Sequence, residues 1–192
     1  MKIALPNIEF FIQLTLIKTM QKSVFTCSLF FFALLFSGLS YAQSNFKSKS
    51  IGVGVVVADM ERSLNFYVNG IGMVKTGNFT INAEFGKRGG LTGGEAVEVN
   101  ILKLENGPEG TDWKLMSFGK KASHPKPKFI QDDNGPQYIT IQVKSLKPIV
   151  ERLKEQNVAF LGSTPTPLTK DSHFVLVQDP DGTFVELIGA ME

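Results

Sequence analysis

From Ile51 onward, hydrophobic and polar positions fall into two runs with the same order of elements. Ile51 to Val57 (IGVGVVV) is dense in β-branched residues and predicts a strand. Asp59 stands where a helix N-cap is needed. Met60, Leu64, Tyr67 and Val68 follow at helical spacing, and Asn69-Gly70 predicts the stop. A strand is expected over 71–80, a glycine-rich loop or short helix over 83–94, and strands over 96–104 and 112–118 around a turn at 106–110. The stretch 119–136 holds three prolines and reads as a surface linker.

The order then repeats. Residues 138–143 (YITIQV) predict a strand, and Ser145 is the expected cap of a helix with Leu146, Ile149, Val150 and Leu153 on one face. Pro148 is tolerated in its first turn, and Asn157 closes it. Residues 158–162 (VAFLG) start another strand, and 173–178 and 183–189 form a hairpin around Asp179-Pro180-Asp181-Gly182. The first strand and helix of the two runs align without gaps at an offset of 86, with Val53, Val55 and Val57 on Ile139, Ile141 and Val143. Each reads β-α-β-β-β. The fold class is therefore α+β: duplicated βαβββ modules, 51–118 and 137–190, forming a curled mixed sheet with a central cleft.

The first 42 residues have a different character. Val24 to Phe36 is uncharged, follows Lys22, and precedes Ser40-Tyr41-Ala42, which is the pattern of a cleaved secretory signal. Thirteen residues are short for a membrane span, which needs about 20. Cleavage after Ala42 leaves 43–50 as a flexible lead-in to a domain over 51–192, and the protein is expected to be exported, either periplasmic or released. Met20 directly precedes this signal, so residues 1–19 are either an over-extended start or part of a longer anchor.

Export changes the available chemistry. Cys27, the single cysteine, leaves with the signal, so neither a disulfide nor a thiol nucleophile remains. The loss of Lys2, Lys18, Lys22 and Glu9 leaves seventeen basic and seventeen acidic residues. A neutral balance gives no steering toward nucleic acid or anionic membrane. Neither is expected as a partner, and no stable membrane insertion is expected after cleavage.

Two stretches, VVVADMERSLNFYVNGIGM and VQDPDGTFVELIG, resemble the vicinal-oxygen-chelate (glyoxalase/bleomycin resistance protein/dioxygenase) superfamily. The matching residues are Val57-Ala58-Asp59, Ser63 with Phe66-Tyr67, Ile71-Gly72-Met73, and Asp179 to Leu187. The resemblance implies four inward positions, two per module, that hold a divalent ion in many members. Here they fall on Gly52, Lys114, Tyr138 and Glu186. Only Glu186 is an ordinary ligand; glycine offers no donor, and lysine places a cation where the ion would sit.

No metal or other cofactor is therefore expected. The resemblance implies a cleft that binds a small organic molecule, with Lys114 and Glu186 facing each other. Lys114 is the anion-binding candidate and Glu186 the candidate base, while Tyr138 and Trp113 supply a stacking surface. His173 is expected on the Glu186 face, where it could complete a displaced metal site with Glu98 or Gln142. The alternative reading is a glyoxalase- or dioxygenase-type metalloenzyme with an atypical site. His124, among lysines and prolines, reads as exposed. A homodimer is compatible with the resemblance.

Overall fold

Each run folds as a four-stranded mixed sheet with a helical crossover, in a computed structural model that describes residues 46–48, 50–121 and 123–192. The signal segment lies outside the described residues, and Ser48–Glu192 form one compact unit. The first sheet holds β1 (Gly52–Val56), β2 (Val74–Ile81), β3 (Val97–Lys103) and β4 (Asp112–Met116), in the order β1-β4-β3-β2. The second holds β5 (Tyr138–Ser145), β6 (Thr166–Pro167), β7 (His173–Gln178) and β8 (Phe184–Ala190), in the order β5-β8-β7-β6.

In both sheets the first strand runs parallel to the last. Gly52 stands opposite Asp112 and Tyr138 opposite Phe184, so Gly54–Lys114 and Thr140–Glu186 are equivalent pairs. The expected duplication and the alignment of Lys114 with Glu186 are both present in the register. The architecture is α+β.

The helices fix which face of each sheet is core. Helix α1 (Met60–Leu64) begins as expected, with the Asp59 carboxylate accepting from the Arg62 amide at 3.0 Å. It does not stop at Asn69-Gly70. It widens into a π-helical segment, Asn65–Ile71, and ends at Gly72, whose left-handed φ of 98° suits glycine. Gly70 is instead a contact point, since a Cβ there would lie 3.1 Å from Leu153.

The carbonyls of Gly70 and Ile71, which the end of the segment would otherwise leave free, accept from Arg152 at 2.9 and 3.1 Å. Arg152 belongs to α3 (Lys147–Glu155), so the two modules are joined helix to helix. A short α2 (Ala83–Arg88) is capped by Asn82 within the glycine-rich segment.

Two expectations fail here. Ser145 does not cap α3; it remains in β5 opposite Ala190, and Leu146 takes the cap position without a side-chain bond. The stretch from Val158 forms no strand, only a single bridge from Phe160 to Val177. One core cluster spans both modules. Leu102, Trp113 and Leu115 meet Val175, Val185 and Leu187 in it, together with Tyr67, Ile149 and Leu153 from the helices. Odd-numbered residues of β4 and β8 therefore face the helices, and Lys114, Met116, Glu186 and Ile188 point the other way.

Candidate functional site

Alternation along β4 places Lys114 on the face turned away from α1 and α3, beside Gly52 of β1. The contact is close: a Cβ at Gly52 would lie 2.6 Å from Lys114 Nζ and 2.7 Å from its Cε. The missing side chain at 52 is thus the space the ammonium occupies. In the second sheet, Glu186 accepts a 2.6 Å hydrogen bond from the Thr140 hydroxyl one strand away. Tyr138, at the start of β5, is half exposed on the same face.

The expected pairing of Lys114 with Glu186 does not form. Among the described residues the ion pairs are Arg88–Glu84, Lys103–Asp112 and Lys120–Glu95. Glu186 has a neutral hydroxyl as its partner, and Lys114 is in none of these ion pairs.

Trp113 and His173 lie elsewhere. Trp113 is buried on the helix side, its ring 5.7 Å from that of Tyr67, and it is not a stacking platform beside Lys114. His173 pairs with Gly189, whereas an Ile188 partner was expected, and Glu186 pairs with Leu176. This one-residue slip puts His173 on the opposite face from Glu186. Glu98 also misses the Lys114 face, since its neighbours Val97 and Val99 point there, and its carboxylate accepts from Asn78 at 2.9 Å. A displaced metal site using His173 or Glu98 with Glu186 is therefore not assembled. His124 is exposed, as expected.

At the four positions that the resemblance assigns to a metal, Glu186 is the one ordinary donor. One offers no side chain, the second fills that vacancy with an ammonium, and the third is a half-exposed phenol. Among the described residues no three His, Cys, Asp or Glu side chains gather into a metal-binding group.

The most buried polar arrangement serves the fold. Tyr67 donates to Asp179 Oδ2 at 2.8 Å, and Asp179 Oδ1 accepts from the amides of Asp181, Gly182 and Thr183 at 2.8–2.9 Å. The Asp181 carboxylate reaches back to the Ala58 amide at 3.3 Å. The Asp-Pro-Asp-Gly turn of the second module is thereby tied to the end of β1 and to α1. In the sequence it stands out as a turn and as part of the motif that carries the resemblance, but the separation of 112 residues between Tyr67 and Asp179 hides their meeting.

Burial, and then the nearby Asp179 charge, push the Tyr67 hydroxyl well above its ordinary pKa. Burial also raises the Asp179 carboxyl, opposed first by the Tyr67 bond and then by the turn amides. A tyrosine that holds its proton more tightly when folded contributes stability that is lost as pH rises above about 10, where the unfolded chain ionises. Tyr67→Phe is expected to cost about 1.5–3 kcal/mol at neutral pH, the range for a hydrogen bond to a charged group. In urea titrations its deficit against the parent should shrink above pH 10. A deficit constant to pH 11 would show that the hydroxyl is not the group lost.

Among the cavities of the described unit are two between and beside the strands. One of about 610 Å³ lies between Val53 and Trp113 of the first module and Ile139 and Ile141 of the second. The other, about 500 Å³, lies beside Val56, Phe118, Lys120 and His124.

Comparison with known proteins gives a concordant result. A model of the Glyoxalase/Bleomycin resistance protein/Dioxygenase superfamily matches residues 51–187. A glyoxalase family protein from Bacillus cereus superposes with a TM-score of 0.64 at 15% identity, over 80% of this chain and 100% of the other. The trypanothione-dependent glyoxalase I of Leishmania major gives 0.51 at 19% identity, over 72% and 84%. At such identities the likeness shows the fold. A search of curated protein sequences returns no match.

Proposed function

Because the chain belongs to the glyoxalase/bleomycin resistance protein/dioxygenase superfamily, we propose that it is an exported member that binds a small organic anion where relatives hold a metal ion. The observation that supports this most is the Lys114 ammonium lying over the bare Gly52 backbone with no carboxylate paired to it. A fixed cation on a sheet does for an anionic ligand what a bound ion does for chelating oxygens: it supplies charge without a proton transfer. Glu186, bonded by Thr140, and Tyr138 stand on the equivalent face of the second module. They would meet the polar and flat parts of the ligand.

Export follows from the signal pattern of residues 20–42, and a homodimer belongs to the same reading. Val56 and Phe79 share the Lys114 face, Tyr138 shares that of Glu186, and all three are left exposed. A second copy would cover them.

Thermal melts with a panel of small carboxylates test this. A binder found in the panel should lose about ten- to a hundredfold in affinity on Lys114→Met, with little change in the melting temperature of the free protein. Gly52→Ala keeps the charge but evicts the ammonium, and it should weaken the same ligand. Equal loss of binding and of stability in Lys114→Met would sink the idea. Stoichiometric metal in the purified protein would favour an atypical metalloenzyme instead.

A further inference from the structure

The 610 Å³ cavity lies mainly on the helix side of the sheets, opposite the Lys114 face, and only Lys103 and Thr140 reach it from that face. Its walls include Val53, Trp113, Ile139 and Ile141, which lie on the helix side of their strands, and Trp113 and Lys114 are consecutive residues pointing in opposite directions. The volume falls in the range of small-molecule sites. Of the residues used in the Lys114 reading, Thr140 alone lines it.

One wall is the β3–β4 connection, held in place from within. Lys103 Nζ, on a side chain 11% exposed, donates to the carbonyls of Gly107, Pro108 and Glu109 at 2.8, 3.3 and 3.4 Å and pairs with Asp112 at 3.5 Å. This lysine is the sole cation among the lining residues, and its charge is spent on the loop and on Asp112. Glu105 and Glu109, both exposed at the mouth, form no ion pair within the described unit. An aliphatic and indole-walled cavity with two unneutralised carboxylates at its rim selects for an apolar body with a positive end. We propose that this cavity is a second binding site, for a compact apolar molecule carrying one ammonium group.

Trp113 is the only tryptophan in the chain, so its fluorescence reports on this wall directly. The test uses three cages of one shape: 1-adamantylamine, 1-adamantanol and 1-adamantanecarboxylate, titrated into the full protein. The amine should shift Trp113 emission saturably and bind about three- to fivefold tighter than the alcohol, as for a partly exposed charge pair, with the carboxylate weakest. The double variant E105Q/E109Q should erase the preference for the amine and leave alcohol binding unchanged.

Ile139→Phe, which fills the cavity, should weaken all three probes, its melting temperature reporting whether the fold is kept. If that variant does not fold, E105Q/E109Q decides. No saturable change with any probe would overturn the proposal. So would a carboxylate that binds as tightly as the amine, or an amine preference that survives E105Q/E109Q. An amine effect lost in Lys114→Met but kept in E105Q/E109Q would place binding on the other face and overturn it as well.

Discussion

Replacing Asp179 by alanine is expected to lower the stability of the protein by about 3–5 kcal/mol, the range for breaking a buried network with several orphaned donors. The side chain accepts four hydrogen bonds, from the Tyr67 hydroxyl and from three consecutive backbone amides, and it is 2% exposed. Alanine takes the acceptor from the buried Tyr67 hydroxyl and from the Asp181 and Thr183 amides, leaves Gly182 only the Asp179 carbonyl, and frees the turn that Asp181 ties to Ala58. Asp179→Asn keeps an oxygen for the three amides, and its amide can donate to the Tyr67 oxygen. It should cost about 1 kcal/mol.

The two variants also separate charge from geometry. Burial raises the Asp179 carboxyl in the folded state, so ionising it costs stability as pH climbs from the ordinary aspartate value of 3.8 through the raised one. The parent should therefore lose stability relative to Asp179→Asn across that window, and the gap should stay constant above it. Urea titrations from pH 3.5 to 7 read both effects. An alanine variant within 1 kcal/mol of the parent would show that the network is not what joins the modules.

The residues that make the family legible are thus the ones that hold the modules together. Tyr67, Asp179 and Asp181 belong to the two stretches that carried the resemblance, and each bonds across the seam. Their chemistry says what fold the chain adopts and little about what it binds. The positions implied by the resemblance, Gly52, Lys114, Tyr138 and Glu186, could be located from the motifs and the symmetry between the runs, and β1 with β4 and β5 with β8 do share one register. What symmetry could not supply was the Lys114 conformation. Folding back over Gly52 depends on a space that becomes evident only once β1 and β4 are seen side by side.

The misplaced histidine has an equally physical cause. A four-residue turn at 179–182 would pair His173 with Ile188, but the observed hairpin pairs Gln178 with Phe184 and leaves five residues between them. Asp179 sets that length: its carboxylate gathers the amides of Asp181 to Thr183, and its own amide donates to the Thr183 carbonyl at 2.9 Å. One added residue reverses every side chain of β7 relative to β8. The Ser145 cap failed for a related reason. The strand continues through it to pair with Ala190, and strand pairing claims the backbone that a cap would need.

That same end of β8 carries the other large expected effect. Gly189→Ala should cost about 2–3 kcal/mol, the upper range for overpacking, and Gly189→Val more. A Cβ at this position would overlap the Val143 carbonyl oxygen and lie 2.8 Å from its Cγ2 and 3.1 Å from its carbonyl carbon. Two of those atoms are backbone, so no change of rotamer relieves the clash. Strand β5 would have to move away from β8 where the register already shifts between Gln142 and Ser145. Gly77 in β2 is the matched control, since a Cβ there meets nothing within 4 Å, and Gly77→Ala should stay within about 0.5 kcal/mol of the parent. Urea midpoints for the three variants decide the matter. If Gly189→Ala unfolds no earlier than Gly77→Ala, β5 and β8 do not approach each other as closely at Val143 as the structure places them.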